Sequence, residues 1–123
     1  MSTIPDPADL DTARSMAERI VEAGEGRVER VILFGSRARG TAHPRSDFDL
    51  LVVERDVASA HPEEERLTDG LEELGIWADV RVVSLASFEK TRSVVGYLSC
   101  AAAREGITLF ERDEDGPARS AVA

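Results

Sequence analysis

Cysteine is nearly absent from this 123-residue chain, and the single Cys100 rules out any disulfide within it. Cys100 lies in the apolar part of the last expected helix and reads as a small buried side chain, not as a nucleophile or a redox centre. Histidine is almost as scarce. His43 and His61 fall in expected loops at no metal-ligand spacing, which argues against zinc, although His43 is close enough to the motif below to touch a nucleotide. Basic charge is also in deficit: fifteen Lys and Arg face twenty-four Asp and Glu, for a net charge of −9. DNA, RNA and anionic membranes are held largely through phosphate neutralisation, so direct nucleic-acid binding is disfavoured and the surface is better suited to a basic protein. No apolar run reaches the length of a membrane helix and the N-terminus lacks a signal-peptide core, so the expectation is a soluble, cytoplasmic protein. There is no internal repeat. With 42% hydrophobic residues the chain can bury one core, so a single domain is expected over 1–111. The segment 112–123, rich in charge, Gly, Pro and small residues, is expected to be a disordered tail.

What is present is concentrated between Val31 and Leu50. Val31-Ile32-Leu33-Phe34 is an unbroken apolar run, as in a buried strand, and Gly35-Ser36 ends it. Arg37 to Ala42 is expected to form a short helix, which sets the Gly35 and Ser36 amides and the Ser36 hydroxyl near a helix N-terminus, where anions are attracted. Gly35 allows a sharp turn and close approach of a ligand, and Gly40 allows the conformation that ends such a helix. Asp47-Phe48-Asp49-Leu50 then begins an alternating strand that projects Asp47 and Asp49 to one face. Two carboxylates sharing one volume repel each other without a cation, and such gathered hard oxygens suit Mg²⁺. Asp79 offers a third carboxylate. In Ile76 to Val83, alternation places Trp77, Asp79 and Arg81 on one face and Ala78, Val80 and Val82 on the other. Taken alone, Asp79 also fits the protection of an edge strand by a charge.

The flanking segments complete a small α/β (α+β) arrangement, a mixed sheet flanked by helices. Leu10, Ala13, Ala17, Ile20 and Val21 are spaced for an amphipathic helix beginning near Asp6 to Ala8 and closed by Gly24 and Gly26, and a strand follows at 28–34. Pro62-Glu63-Glu64-Glu65 reads as a helix start, with Leu67, Leu71 and Leu74 as its buried stripe before Gly75. A helical region starts at Ser84 to Ser87. Thr91 to Arg104 is expected to be helical with Val94, Leu98, Ala101 and Ala102 facing inward and Gly106 as cap, before a last strand at 107–110. Trp77 is expected in core or interface packing more than in base stacking, and Tyr97 on a partner-facing or core side of its helix.

Gly35-Ser36, Gly40, Ser46-Asp47-Phe48-Asp49-Leu50 and the later Asp79 together resemble the nucleotidyltransferase superfamily related to DNA polymerase beta, and specifically its minimal members, the MNT proteins, which include MntA-type antitoxins. The resemblance spans about Val31 to Val83, and the ending Tyr97 to Glu111 is similar to the final helix and strand of those proteins. It implies a polymerase beta-like fold in which Asp47, Asp49 and Asp79 are catalytic and bind two Mg²⁺ ions. It further implies that Gly35 and Ser36, with Arg39 and Ser46 as added candidates, hold a nucleoside triphosphate. Arg37 and Arg45 either contact phosphates as well or only solvate the helix and loop.

The implied reaction transfers AMP from ATP to a hydroxyl of a partner protein. In the resembling pairs the chain is the antitoxin and a HEPN-type ribonuclease toxin is both partner and substrate, so a hetero-oligomer is expected. The alternative is a non-catalytic module that neutralises its partner by covering it. Transfer to a small hydroxylated compound such as an aminoglycoside is disfavoured, because no helical acceptor domain is present in the sequence.

Overall fold

The computed structural model describes residues 4–112 and 118–119. Helix α1 (Pro7–Ala23) starts where Asp6 caps it, accepting from the Ala8 amide, and Pro7 supplies a pre-set first φ. Strand β1 (Val28–Phe34) is followed by the single turn α2 (Ser36–Arg39), then by strand β2 (Phe48–Glu54). Helix α3 (Ala60–Asp69) and the 3₁₀ turn Glu72–Leu74 cross over to strand β3 (Ala78–Ser84). Helix α4 (Leu85–Thr91) is capped by the Ser84 hydroxyl, α5 (Leu98–Glu105) follows, and β4 (Ile107–Arg112) with the two-residue β5 (Ala118–Arg119) completes the sheet. The strand order is β3-β2-β1-β4-β5. Among the described residues, only the β2–β3 pair, joined by the α3 crossover, is parallel; the other pairs are antiparallel.

Alternation along the strands sorts the core into two layers. Val31, Leu33, Leu50, Val52, Val80 and Val82 pack with Ala13, Met16, Ala17 and Ile20 of α1 and Leu67 of α3. Ile32, Leu51 and Val53 pack on the opposite face with Phe88 of α4 and Ala102 of α5. The sheet is therefore covered on both sides, which explains why β2 reads as a continuous apolar run after Asp49.

Several expected boundaries move. The short helix stops at Arg39 and does not reach Ala42, because Gly40 turns left-handed at φ 74°. Asp47 lies just before β2, and β3 begins at Ala78, two residues after the expected Ile76. The Pro62 helix begins two residues earlier and ends at Asp69, so Leu71 is buried from the connection beyond it. The continuous helix over 91–104 does not form: α4 ends at Thr91, Gly96 sits at φ 103°, and α5 starts afresh at Leu98. Val94, Leu98 and Ala101, expected inward, are exposed, while Ser99, Cys100 and Ala102 face the core. Of the expected tail, Arg112 ends β4 and 118–119 pair with it; residues 113–117 and 120–123 lie outside the described residues.

The end of β2 remote from Asp49 carries a buried acid. Glu54 is 1% exposed, and its Oε2 is buried without a hydrogen-bond partner. Burial, then a hydrogen bond to Glu63, raises its pKa from 4.5 to about 7. Glu63 on α3 accepts from Arg66 at 2.8 Å, and that bond leads the lowering of its pKa to about 2. Arg27, Arg66 and Asp56 are the other charged groups lining this recess. The folded Glu54 thus keeps a proton that the unfolded chain releases, so its contribution is fully present below about pH 4.5 and fades as pH rises towards about 7. Glu63 acts in the opposite sense, supporting the fold above its unfolded pKa and losing that support as pH falls towards about 2. Glu54→Gln stays neutral at every pH. Its Tm relative to the wild type is expected to rise between about pH 5 and about pH 8, measured by circular dichroism; a constant difference sinks the assignment of a proton to Glu54.

Candidate functional site

The β1–β2 pairing sets Phe34 opposite Asp49, so the turn that leaves β1 at Gly35 lies against the Asp49 side chain. Gly35 has φ 75°, and a Cβ there would run into the Asp49 carboxylate. Glycine is thus demanded twice, by conformation and by space. The Ala38 and Arg39 amides both donate to the Gly35 carbonyl at 3.1 Å. What the turn can offer an anion therefore comes down to the Ser36 and Arg37 amides and the Ser36 hydroxyl.

Parallel pairing of β2 with β3 puts Asp79 in direct register with Asp49. Asp49 is half-buried and Asp47 exposed beside it. Burial first, then the charges of Asp79 and Asp47, raise the Asp49 pKa, while Arg39 and Arg81 pull it down. All three acids expected from the sequence are therefore electrostatic neighbours. Among the described residues, however, no three His, Cys, Asp or Glu side chains are already drawn together tightly enough to hold a metal. Asp79 instead accepts from Arg81 Nε at 3.2 Å. The donor set still fits a hard dication: three carboxylates on adjoining segments, one of them destabilised by the other two, are what a cation would relieve.

The four nucleotide candidates divide. Gly35 and Ser36 form the turn. Arg39 is exposed, faces Glu105 at 3.7 Å and is close enough to bias Asp49. Ser46 closes a loop turn: its amide donates to the His43 carbonyl at 2.9 Å and its hydroxyl accepts from the His43 amide at 3.1 Å.

Arg37 has a role that its position in a phosphate-like motif conceals. Its side chain is 13% exposed and pairs through Nη1 with Asp9 of α1 at 2.9 Å. Nη2 donates to the carbonyls of Ser46 at 2.8 Å and Pro44 at 3.3 Å, and the guanidinium lies 4.5 Å from the centre of the Phe48 ring. Its planar fork thus ties α1 to the loop that delivers Asp47. The sequence signal was an arginine two residues after Gly35 with an acid in the first turn of α1, too weak to pair them across 28 residues. Trp77, expected in core or interface packing, is 78% exposed and so lies outside the core. Arg37→Ala removes the ion pair to Asp9 and the bonds to two carbonyls, so a loss of about 2–4 kcal/mol in urea unfolding is expected. Arg37→Lys should recover less than about half of it, since an ammonium cannot reproduce the fork; full recovery would show that charge alone matters.

Comparison with known proteins agrees with this geometry. Residues 14–112 match the family described as the nucleotidyltransferase domain. No curated protein matches the chain by sequence. A candidate nucleotidyltransferase from Sulfolobus solfataricus superposes with a TM-score of 0.57 at 20% identity, covering 89% of each chain. A toxin–antitoxin complex with AMP-PNP gives 0.55 at 23% identity, over 83% of this chain and 76% of that one. A mutant of the toxin–antitoxin MntA–HpeT gives 0.53 at 21% identity, with the same coverage. At these identities the structures speak for the fold, a mixed sheet flanked by helices of the polymerase beta-like type. The family match extends over most of the chain, from within α1 to the end of β4, and this chain belongs to the nucleotidyltransferase domain family.

Proposed function

We propose that the chain is a minimal, Mg²⁺-dependent nucleotidyltransferase that moves AMP from ATP to a hydroxyl of a partner protein, as the antitoxin of a HEPN/MNT toxin–antitoxin pair. The observation that carries this reading is the contact between the Gly35 turn and Asp49, with Asp79 in register beside it. A phosphate-sized anion on that turn meets carboxylates immediately, an arrangement that makes sense once a cation lies between them. Two structural neighbours are toxin–antitoxin complexes, one of them with AMP-PNP, which supports both the partner class and the adenine nucleotide.

In this reading Asp47 and Asp49 hold the metal, two ions in all, with Asp79 completing one site after releasing Arg81. Mg²⁺, when bound, offsets phosphate charge and stabilises the attacking and leaving oxygens. The Ser36 hydroxyl, the turn amides and Arg39 hold the triphosphate, and Ser46 acts by holding its loop. Asp79 accepts the proton of the acceptor hydroxyl. The acceptor oxygen bonds to the α-phosphorus as the bond from that phosphorus to the bridging oxygen breaks, and pyrophosphate departs with the electron pair. AMP left on a toxin adds bulk and negative charge that oppose RNA binding.

A second reading, neutralisation by covering alone, is favoured by one observation: Asp79 is held by Arg81 while Val94, Val95 and Tyr97 present apolar surface at 44%, 80% and 55% exposure. Incubation with Mg²⁺, α-labelled ATP and the co-expressed partner separates the two. Label on the partner is expected to fall at least about 100-fold in Asp47→Ala/Asp49→Ala while the complex survives gel filtration. Undiminished partner protection by the double variant, with no label from any of the four nucleotides, would establish covering.

A further inference from the structure

In open α/β sheets ligands settle in the crevice beyond the carboxyl ends of parallel strands. Here the candidate transfer site lies at the amino ends of β2 and β3, while their carboxyl ends, where Glu54 pairs with Ser84, lie at the opposite end of the sheet. Between the loop that leaves β2 and the start of α3 is a recess of about 290 Å³ with Glu54 in its lining. No residue assigned above to nucleotide or metal lines it.

The cations of this recess are already engaged. Arg66 donates from Nε and Nη2 to the two Glu63 oxygens at 2.8 and 2.9 Å, and from Nη1 to the Ala23 carbonyl at 2.7 Å. Arg27 donates to the same carboxylate at 3.2 Å. Two arginines thus serve one acid. The other two acids in the lining are left over. Asp56 is exposed, with no ion pair or side-chain hydrogen bond among the described residues, and the buried Glu54 Oε2 meets no donor, a costly arrangement for a carboxyl oxygen.

Charge selects the occupant. While Glu54 holds its proton, Arg27 and Arg66 balance Glu63 and Asp56, and the recess is neutral. Loss of that proton leaves one negative charge beside the apolar walls of Val57, Ala58 and Pro62. A single monovalent cation cancels it; an anion or a dication does not.

We propose that this recess binds a primary ammonium carried on a short alkyl chain, which takes the place of the Glu54 proton. The ammonium donates to the Glu54 carboxylate and to Asp56, and its methylenes lie along Val57, Ala58 and Pro62. The charged groups facing Glu54 are Glu63 and Arg66 from α3, Arg27 from the connection before β1 and Asp56 from its own loop. Once ionised, Glu54 has no hydrogen to give Glu63, and the like charge turns it from Glu63 towards the recess. Each amine bound releases one proton to solution.

Butylammonium chloride, titrated calorimetrically into the full chain in two buffers that hold no primary amine and differ in ionisation enthalpy, is expected to bind saturably at one site. Its Kd should fall about tenfold between about pH 5 and about pH 6 and level off above about pH 7, with close to one proton released per amine at the acid end and none above about pH 8. Glu54→Gln, checked for folding by circular dichroism, should abolish this binding. Ala58→Phe, which narrows the recess without changing a charge, should weaken it about tenfold. Nα-acetyl-lysinamide separates the two sources of such an ammonium: binding equal to butylammonium assigns the site to a lysine of a partner protein, and none assigns it to a free amine. Equal binding of 1-butanol, displacement by KCl at the same concentration, or unchanged binding by Glu54→Gln would each overturn the proposal. So would the absence of saturable heat with butylammonium, which would leave water alone to meet Oε2.

Discussion

The contact between the Gly35 backbone and the Asp49 carboxylate is the constraint from which the rest of this architecture follows. It exists because β1 and β2 pair antiparallel with Phe34 opposite Asp49, so the exit from one strand and the entry of the next share one end of the sheet. The connection between them must turn at once and return. A single helical turn ended by a left-handed Gly40 and a loop gathered by Arg37 achieve this within 13 residues, from Gly35 to Asp47. The third carboxylate joins from β3, which runs parallel to β2, and a parallel neighbour requires the α3 crossover.

Both ends of β2 carry an acid with a raised pKa, and the surroundings distinguish their roles. At the site end Asp49 is half-buried, crowded by the charges of two further carboxylates and tempered by Arg39 and Arg81. At the far end Glu54 is enclosed, shares a hydrogen bond with Glu63, and has Arg27 and Arg66 beside it. That cluster fastens α3 to the sheet. Glu64, on the same helix, accepts from the Val82 amide at 2.9 Å and fastens it again at the edge strand β3. The crossover that places Asp79 is thus held by polar bonds as well as by Leu67.

In an acidic chain the placement of arginines carries much of the order. Arg37 is spent on Asp9 and two carbonyls, Arg55 on Glu29 and the Gly26 carbonyl, and Arg66 on Glu63 and the Ala23 carbonyl. Arg39 and Arg45 remain near the candidate site at its exposed rim. The apolar surface is distributed in the same selective way: Trp77 stands beside the carboxylates, and Val94, Val95 and Tyr97 stand on the connection between α4 and α5.

The sequence by itself determined the elements whose signals are local. The apolar run at Val31, the alternation from Asp49 and Ala78, the Asp6 cap, and the glycines at positions 35 and 40 are each readable from neighbouring residues, because period, capping and φ preference act within a few positions. They were enough to mark Gly35, Ser36, Asp47, Asp49 and Asp79 as one candidate site. Tertiary structure alone decided what depended on partners distant in sequence. The 92–97 segment has helical spacing, yet two separate helices cover the sheet face at Phe88 and Ala102, and the chain between them turns outward. Arg37 joined Asp9, Glu54 came to lie against Glu63, and Trp77 stayed in water, because each outcome turns on which atoms meet after the strands have paired, a quantity that no local window of sequence contains.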